Sequence, residues 1–119
     1  MTQAQFGEPK LILPYLIDIS ESTTVGPNLD LQHYKLAAII CPGTLTSTAI
    51  TFTAAESDGG TYATVTDVAG TTISVTVAAS KAPGLTGTSA AATAPHRFLR
   101  LIMGSAEAAD RQLYLVMAQ

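Results

Sequence analysis

The residues able to do chemistry in this chain are few and scattered. His33 and His96 are its two histidines, and they stand in different segments with no second ligand at helical or hairpin spacing. A metal centre needs three or four converging groups, so no metal and no other cofactor is expected. The single cysteine, Cys41, lies between Ile40 and Pro42. A reactive thiol wants an electropositive, partly exposed setting, and these neighbours point instead to a small buried hydrophobe. Ser105 follows Gly104, but Gly104-Ser105-Ala106 lacks the second glycine of a nucleophile elbow. Glu56, Asp58 and Asp67 fall in turn-like stretches. Paired carboxylates for acid–base work need buried, mismatched environments, and a calcium loop needs a denser run of oxygen ligands. Local hydrogen bonding is the simpler reason for an acid in a turn. Catalysis requires titratable groups that meet, so the expectation is a protein that is not an enzyme.

Arg97, Arg100 and Arg111 are half of the six basic residues and flank the last two apolar segments. If those segments pair, the three could share one surface. Arginine is favoured at interfaces because its planar fork matches carboxylates; the alternative is a set of solvated strand ends. Asp110 is the expected local partner of Arg111. The seven aromatics include no tryptophan, and sequence alone does not put Tyr34, Tyr62 and Tyr114 on one face. A sugar-binding platform is therefore open but unsupported.

The elements that would position these residues are legible in composition and period. The 119 residues are 47% hydrophobic and only 13% charged, with a formal net charge of −3. One domain of ordinary size is expected, with threonine, serine and glycine clothing a surface that average proteins cover with about 25% charged residues. The acidic balance excludes an unaided nucleic-acid binder, which needs clustered Lys and Arg, and disfavours an electrostatic membrane binder. One cysteine makes no internal disulfide. Residues 1–8 carry neither a basic stretch nor an apolar one, so no secretory signal is expected. The longest clean apolar run, Leu36 to Cys41, is far short of a membrane span. The product is expected to be made in the cytoplasm.

Residues 1–10 read as an extended arm and 11–119 as the domain. Leu11 to Ile19 is aliphatic with Pro14 inside, which argues for an edge strand. Residues 20–34 read as a long loop, and Lys35 to Cys41 as a short buried strand stopped by Pro42-Gly43. Ala49 to Ala54 alternates, with Ile50, Phe52 and Ala54 on one face and Thr51 and Thr53 on the other. Thr61 to Thr66 and Thr71 to Val77 read as a hairpin across Asp67-Val68-Ala69-Gly70, with Ile73, Val75 and Val77 inward. Residues 78–95 read as a loop whose one large apolar side chain is Leu85. Phe98 to Met103 and Leu113 to Met117 are the last strands, joined by a stretch with a candidate helical turn at Glu107-Ala108-Ala109. About seven short strands, with no sustained 3.6-residue period, predict an all-β protein: an antiparallel β-sandwich, jelly-roll-like, with an extended N-terminal arm.

The order of these features resembles small virion proteins of tailed bacteriophages. Tyr34 to Pro42 is followed by Thr48 to Ala55, then by Asp58-Gly59-Gly60-Thr61-Tyr62, the Val68-Ala69-Gly70 turn, Phe98-Leu99-Arg100-Leu101, Gly104-Ser105 and Ala108-Ala109-Asp110-Arg111. More loosely it is similar to the jelly-roll sandwich of galactose-binding-like domains. The likeness covers residues 34–118, rests on ordering rather than on one motif, and brings no catalytic residues. It implies a capsid decoration or cement protein on the outside of the virion, with the major capsid protein as partner and a homo-oligomer, a trimer by preference, as its form. It implies an interface of Phe6, Pro9 and Leu11 from the arm with Arg97, Arg100 and Arg111. The competing expectation is a glycan-binding jelly-roll module of a phage head fibre or tail.

Overall fold

The computed structural model describes the backbone of residues 12–119 and side chains from Pro14 onward. The predicted arm and its contact residues Phe6, Pro9 and Leu11 lie outside the described residues. Eight strands build two antiparallel sheets: β1 (Ile12–Ile19), β2 (Leu29–Asp30), β3 (Lys35–Ile40), β4 (Ala49–Ala55), β5 (Ala63–Thr64), β6 (Ser74–Thr76), β7 (Phe98–Met103) and β8 (Arg111–Ala118). One sheet runs β1-β8-β3 and the other β2-β7-β4-β5, with β6 also on β4.

The pairings are nested. β1 lies against β8 and β2 against β7. The segment after Lys81 returns along β3, where Cys41 N–H donates to Lys81 O, Ile39 N–H to Pro83 O and Leu85 N–H to Ala37 O. β4 takes β5 on one half and β6 on the other. This first-with-last nesting is the jelly-roll arrangement expected from the strand count. The 61–77 hairpin keeps its tip, closed by the Thr66–Thr72 bridge. Its arms are shorter than predicted because each leaves the other to pair with β4.

Alternation explains which side chains fill the space between the sheets. Ile17, Ile19, Leu36, Ile39, Leu113, Leu115 and Met117 from one sheet meet Ile50, Phe52, Val75, Leu99, Leu101 and Met103 from the other, all buried. β3 departs from strict alternation: its register against β8 shifts between Leu36 and Ala38. That bulge gives Ala37 no opposite residue, so Leu36 and Ile39, three apart, both face the core while Ala38 and Ile40 face out.

Three connections differ from expectation. Residues 20–34, read as a loop, contain β2, whose two residues are too few to show alternation but pair with β7 and bury Leu29. Residues 78–95 contain a helix, α1 (Gly87–Thr93). Its Ala90-Ala91-Ala92 centre is strongly helix-forming, Ala90 and Ala92 pack on the core, and buried Thr93 donates its hydroxyl to Ser89 O at 2.8 Å. Two turns are too short to show a 3.6-residue period, which is why the pattern gave no sign of it. The candidate helical turn at Glu107 is instead irregular, because Glu107 is turned inward to bind another loop.

Candidate interaction surfaces

The three arginines do not share a surface. The last two strands follow one another in sequence but lie in opposite sheets, so residues 104–110 cross the end of the sandwich. Arg111, at the start of β8, faces that crossing. Its side chain is 13% exposed and its Nε donates to Glu107 Oε1 at 3.0 Å. Its partner is therefore Glu107 rather than Asp110, which accepts the Glu21 N–H at 2.7 Å.

Glu107 is the principal buried charge among the described residues. Its side chain is fully buried. Oε1 accepts from Thr46 N–H at 2.8 Å and Oε2 from Ser47 N–H at 2.8 Å and Ser47 Oγ at 2.7 Å. Burial alone would push the carboxyl upward. The donors from Thr46, Ser47 and Arg111 outweigh it and hold the carboxyl at about 2, below the ordinary 4.5. The carboxylate thus ties the 42–48 loop to the 104–110 crossing. Nothing in the sequence marked it, because an acid between alanines reads as solvated.

Arg97 and Arg100 belong to the outer side of the β2-β7-β4-β5 sheet. Arg97, one residue before β7, grips Asp30 with two bonds, Nε to Oδ1 at 2.7 Å and Nη2 to Oδ2 at 3.0 Å. The hydrogen bond from Arg97 lowers the Asp30 carboxyl and raises the guanidinium. Arg100, in mid-strand, donates Nε and Nη2 to Asn28 Oδ1 at 2.9 and 2.6 Å, and its guanidinium lies 3.9 Å from the Tyr62 ring centre. Threonine takes the next strand, with Thr51 opposite Ile102 and Thr53 opposite Arg100. The face also has apolar members, with Val25, 51% exposed, bridging Ile102, and Thr53 Oγ1 and the Tyr62 hydroxyl are buried in it without a hydrogen-bond partner among the described residues.

The β1-β8-β3 sheet has a different outer face. Its register aligns Leu16 with Tyr114 and Tyr114 with Ile40, and the next outward row is Pro14, Val116 and Ala38. Leu16, Tyr114 and Ile40 are 39%, 48% and 42% exposed. Scattered surface apolar residues are ordinary, but a contiguous patch marks a contact. The sequence showed these residues as strand members without showing that they form one row. Two of the shallow hollows on the surface bear on these candidates. One, of about 210 Å³, brings His33 and His96 together with Tyr34, Lys35 and Arg97, and no Asp or Glu among the described residues lines it. The other, of about 260 Å³, is walled by Tyr15, Asn28, Asp30 and Met117. The three tyrosines Tyr34, Tyr62 and Tyr114 stand in three different places. Among the described residues no three of His, Cys, Asp and Glu converge as metal ligands. Cys41 is buried, and burial pushes its thiol up. Asp67 accepts the N–H groups of Ala69 and Thr71, both at 2.9 Å, and Gly70 supplies the positive φ of 87° that completes the turn.

These features define a small jelly-roll β-sandwich distinguished by its faces. No protein-family model matches the chain, and no curated protein matches it in sequence. Among solved structures it is similar to the SPBc2 prophage-derived protein YomS, with a TM-score of 0.53 and 12% identity over 94% of this chain and 98% of that one. At that identity the likeness is one of fold.

Proposed function

We propose that the chain is a bacteriophage virion protein, a decoration or cement protein that binds the outside of the mature head shell and stabilises it without any reaction. The observation that carries this reading is the jelly-roll sandwich shared, nearly end to end, with a prophage-derived protein. Its surface chemistry agrees. The outer face of the β2-β7-β4-β5 sheet is Thr-rich with few charges: Arg97 is paired with Asp30, and Arg100, held by Asn28 and the Tyr62 ring, leaves a guanidinium to meet a partner's carboxylate. The Glu107–Arg111 pair is engaged in tying two loops together and is not held free for chemistry. Modest binding per copy suffices on a shell that presents its sites many times over. The major capsid protein is the partner. Co-sedimentation with expanded shells of the capsid protein encoded beside this chain tests the reading. Saturable pelleting at a fixed ratio to capsid subunits is expected, and absence of pelleting overturns it.

A second reading is favoured by the Tyr15 hollow. Tyr15 is 50% exposed there, beside Asn28 and Asp30, an aromatic plane with planar polar groups of the kind that binds sugars. This reading makes the protein a host-glycan-binding module of a head fibre or tail. A glycan array with wild type and Tyr15→Ala separates the two: binding that the substitution abolishes supports the module, and no binding removes it.

A further inference from the structure

We infer that the outer face of the β1-β8-β3 sheet is where two copies of this chain meet, face to face, with strand directions reversed across a two-fold axis. The inference stands apart from shell binding and concerns how the protein presents itself before any shell is met.

The face is laid out in rows by the register. At one end, Lys35 lies opposite Ala118; then come Pro14, Val116 and Ala38; then Leu16, Tyr114 and Ile40; and at the far end Asp18 lies opposite Gln112. The two middle rows contain no charge. The end rows are roughly 20 Å apart, six residues of β8, and opposite in sign. Lys35 lies at the His33 end. Asp18 lies beside Asp110, with Glu21 bonded to Asp110 through its backbone.

A two-fold axis between the middle rows, in the plane of contact and across the strands, does two things together. It lays the bulky Leu16-Tyr114-Ile40 row of one copy on the smaller Pro14-Val116-Ala38 row of the other, twice. It also brings the Lys35 end of each copy over the Asp18 end of its partner. An axis parallel to the strands would stack bulky on bulky and like charge on like. Reversed strands are therefore the arrangement that both size and charge select, and an isologous contact of this kind closes as a dimer. Edge-to-edge pairing is the competing route to a dimer, and it is blunted on both sides: Pro14 interrupts the donors of β1, and residues 81–85 already occupy β3. The trimer implied by family resemblance would need two different surfaces, which a self-complementary face does not supply.

The test is sedimentation equilibrium of the full chain over a wide concentration range, with circular dichroism on each variant. Wild type is expected as a dimer. Tyr114→Lys, at a half-exposed site, is expected to keep the sandwich and weaken the dimer at least tenfold. Lys35→Glu is expected to weaken it, and Lys35→Glu combined with Asp18→Lys to restore it, since the facing ends of the two copies again carry opposite charge. The restoration is specific to reversed strands and does not depend on any one variant's stability. A wild-type monomer or trimer overturns the inference. So does a dimer indifferent to Tyr114→Lys, or a double variant weaker than Lys35→Glu alone. If wild type is monomeric and Tyr114→Lys loses shell pelleting, the face belongs to the shell subunit instead.

Discussion

Replacing Glu107 by glutamine removes one charge and almost no volume, so its effect is set by the hydrogen bonds around the carboxylate. That group accepts four of them, two at each oxygen. If the carboxamide oxygen takes the Oε1 position, Thr46 N–H and Arg111 Nε keep an acceptor. Its NH₂ then faces Ser47. The Ser47 hydroxyl can adapt by directing its proton to Ser105 O, 2.8 Å away, but the Ser47 backbone N–H is left pointing at a donor. The flipped amide is worse, setting a donor against both Thr46 N–H and Arg111. One orphaned buried N–H costs about 1–3 kcal/mol, and the Arg111 guanidinium loses its counter-charge in a nearly dry site. The titration gives an independent figure. A carboxyl held at about 2 rather than 4.5 contributes roughly 3 kcal/mol to stability. Because the folded value is depressed, that contribution is complete above pH 4.5 and is lost as pH falls toward 2. Urea unfolding of wild type and Glu107→Gln should therefore differ by about 3 kcal/mol at pH 7. The gap should narrow below pH 4.5 and close near pH 2. A loss under about 1 kcal/mol at pH 7, or a gap that stays constant down to pH 2, refutes the reasoning.

The same packing sets other outcomes. Phe52, fully buried on β4, should cost on the order of 3–5 kcal/mol when replaced by alanine, read as a lowered urea midpoint with unchanged slope. Arg97→Ala breaks an exposed pair with Asp30; its unfolding midpoint should match wild type, because exposed ion pairs contribute little. Cys41 should resist a thiol reagent in the native protein and react fully in denaturant, and rapid native labelling would contradict its burial. Deleting residues 1–10 should leave circular dichroism and unfolding unchanged while weakening pelleting with shells; unchanged pelleting would remove the arm from the shell contact.

The sandwich was legible in the sequence because a half-buried strand writes its faces in alternation. Ile50 and Phe52, and Ile73, Val75 and Val77, face the core as their spacing predicts. Turn chemistry was legible for the same local reason, since Asp67 and Gly70 act on their own neighbours. Tertiary structure decided whatever depends on which strand lies beside which. Adjacency in sequence suggested that the last two strands pair and gather three arginines. The nested pairing separates them, leaving Arg97 and Arg100 on one face and sending Arg111 to a buried carboxylate 60 residues from the loop it holds. The bulge at Ala37 breaks the period that would have assigned Leu36 and Ile39 to opposite faces. Leu16, Ile40 and Tyr114 become a row only when three distant segments fall into register. Local preference fixes how a residue sits in its own strand; which strands meet is set by closing one core over the whole chain, and the surfaces are products of that closure.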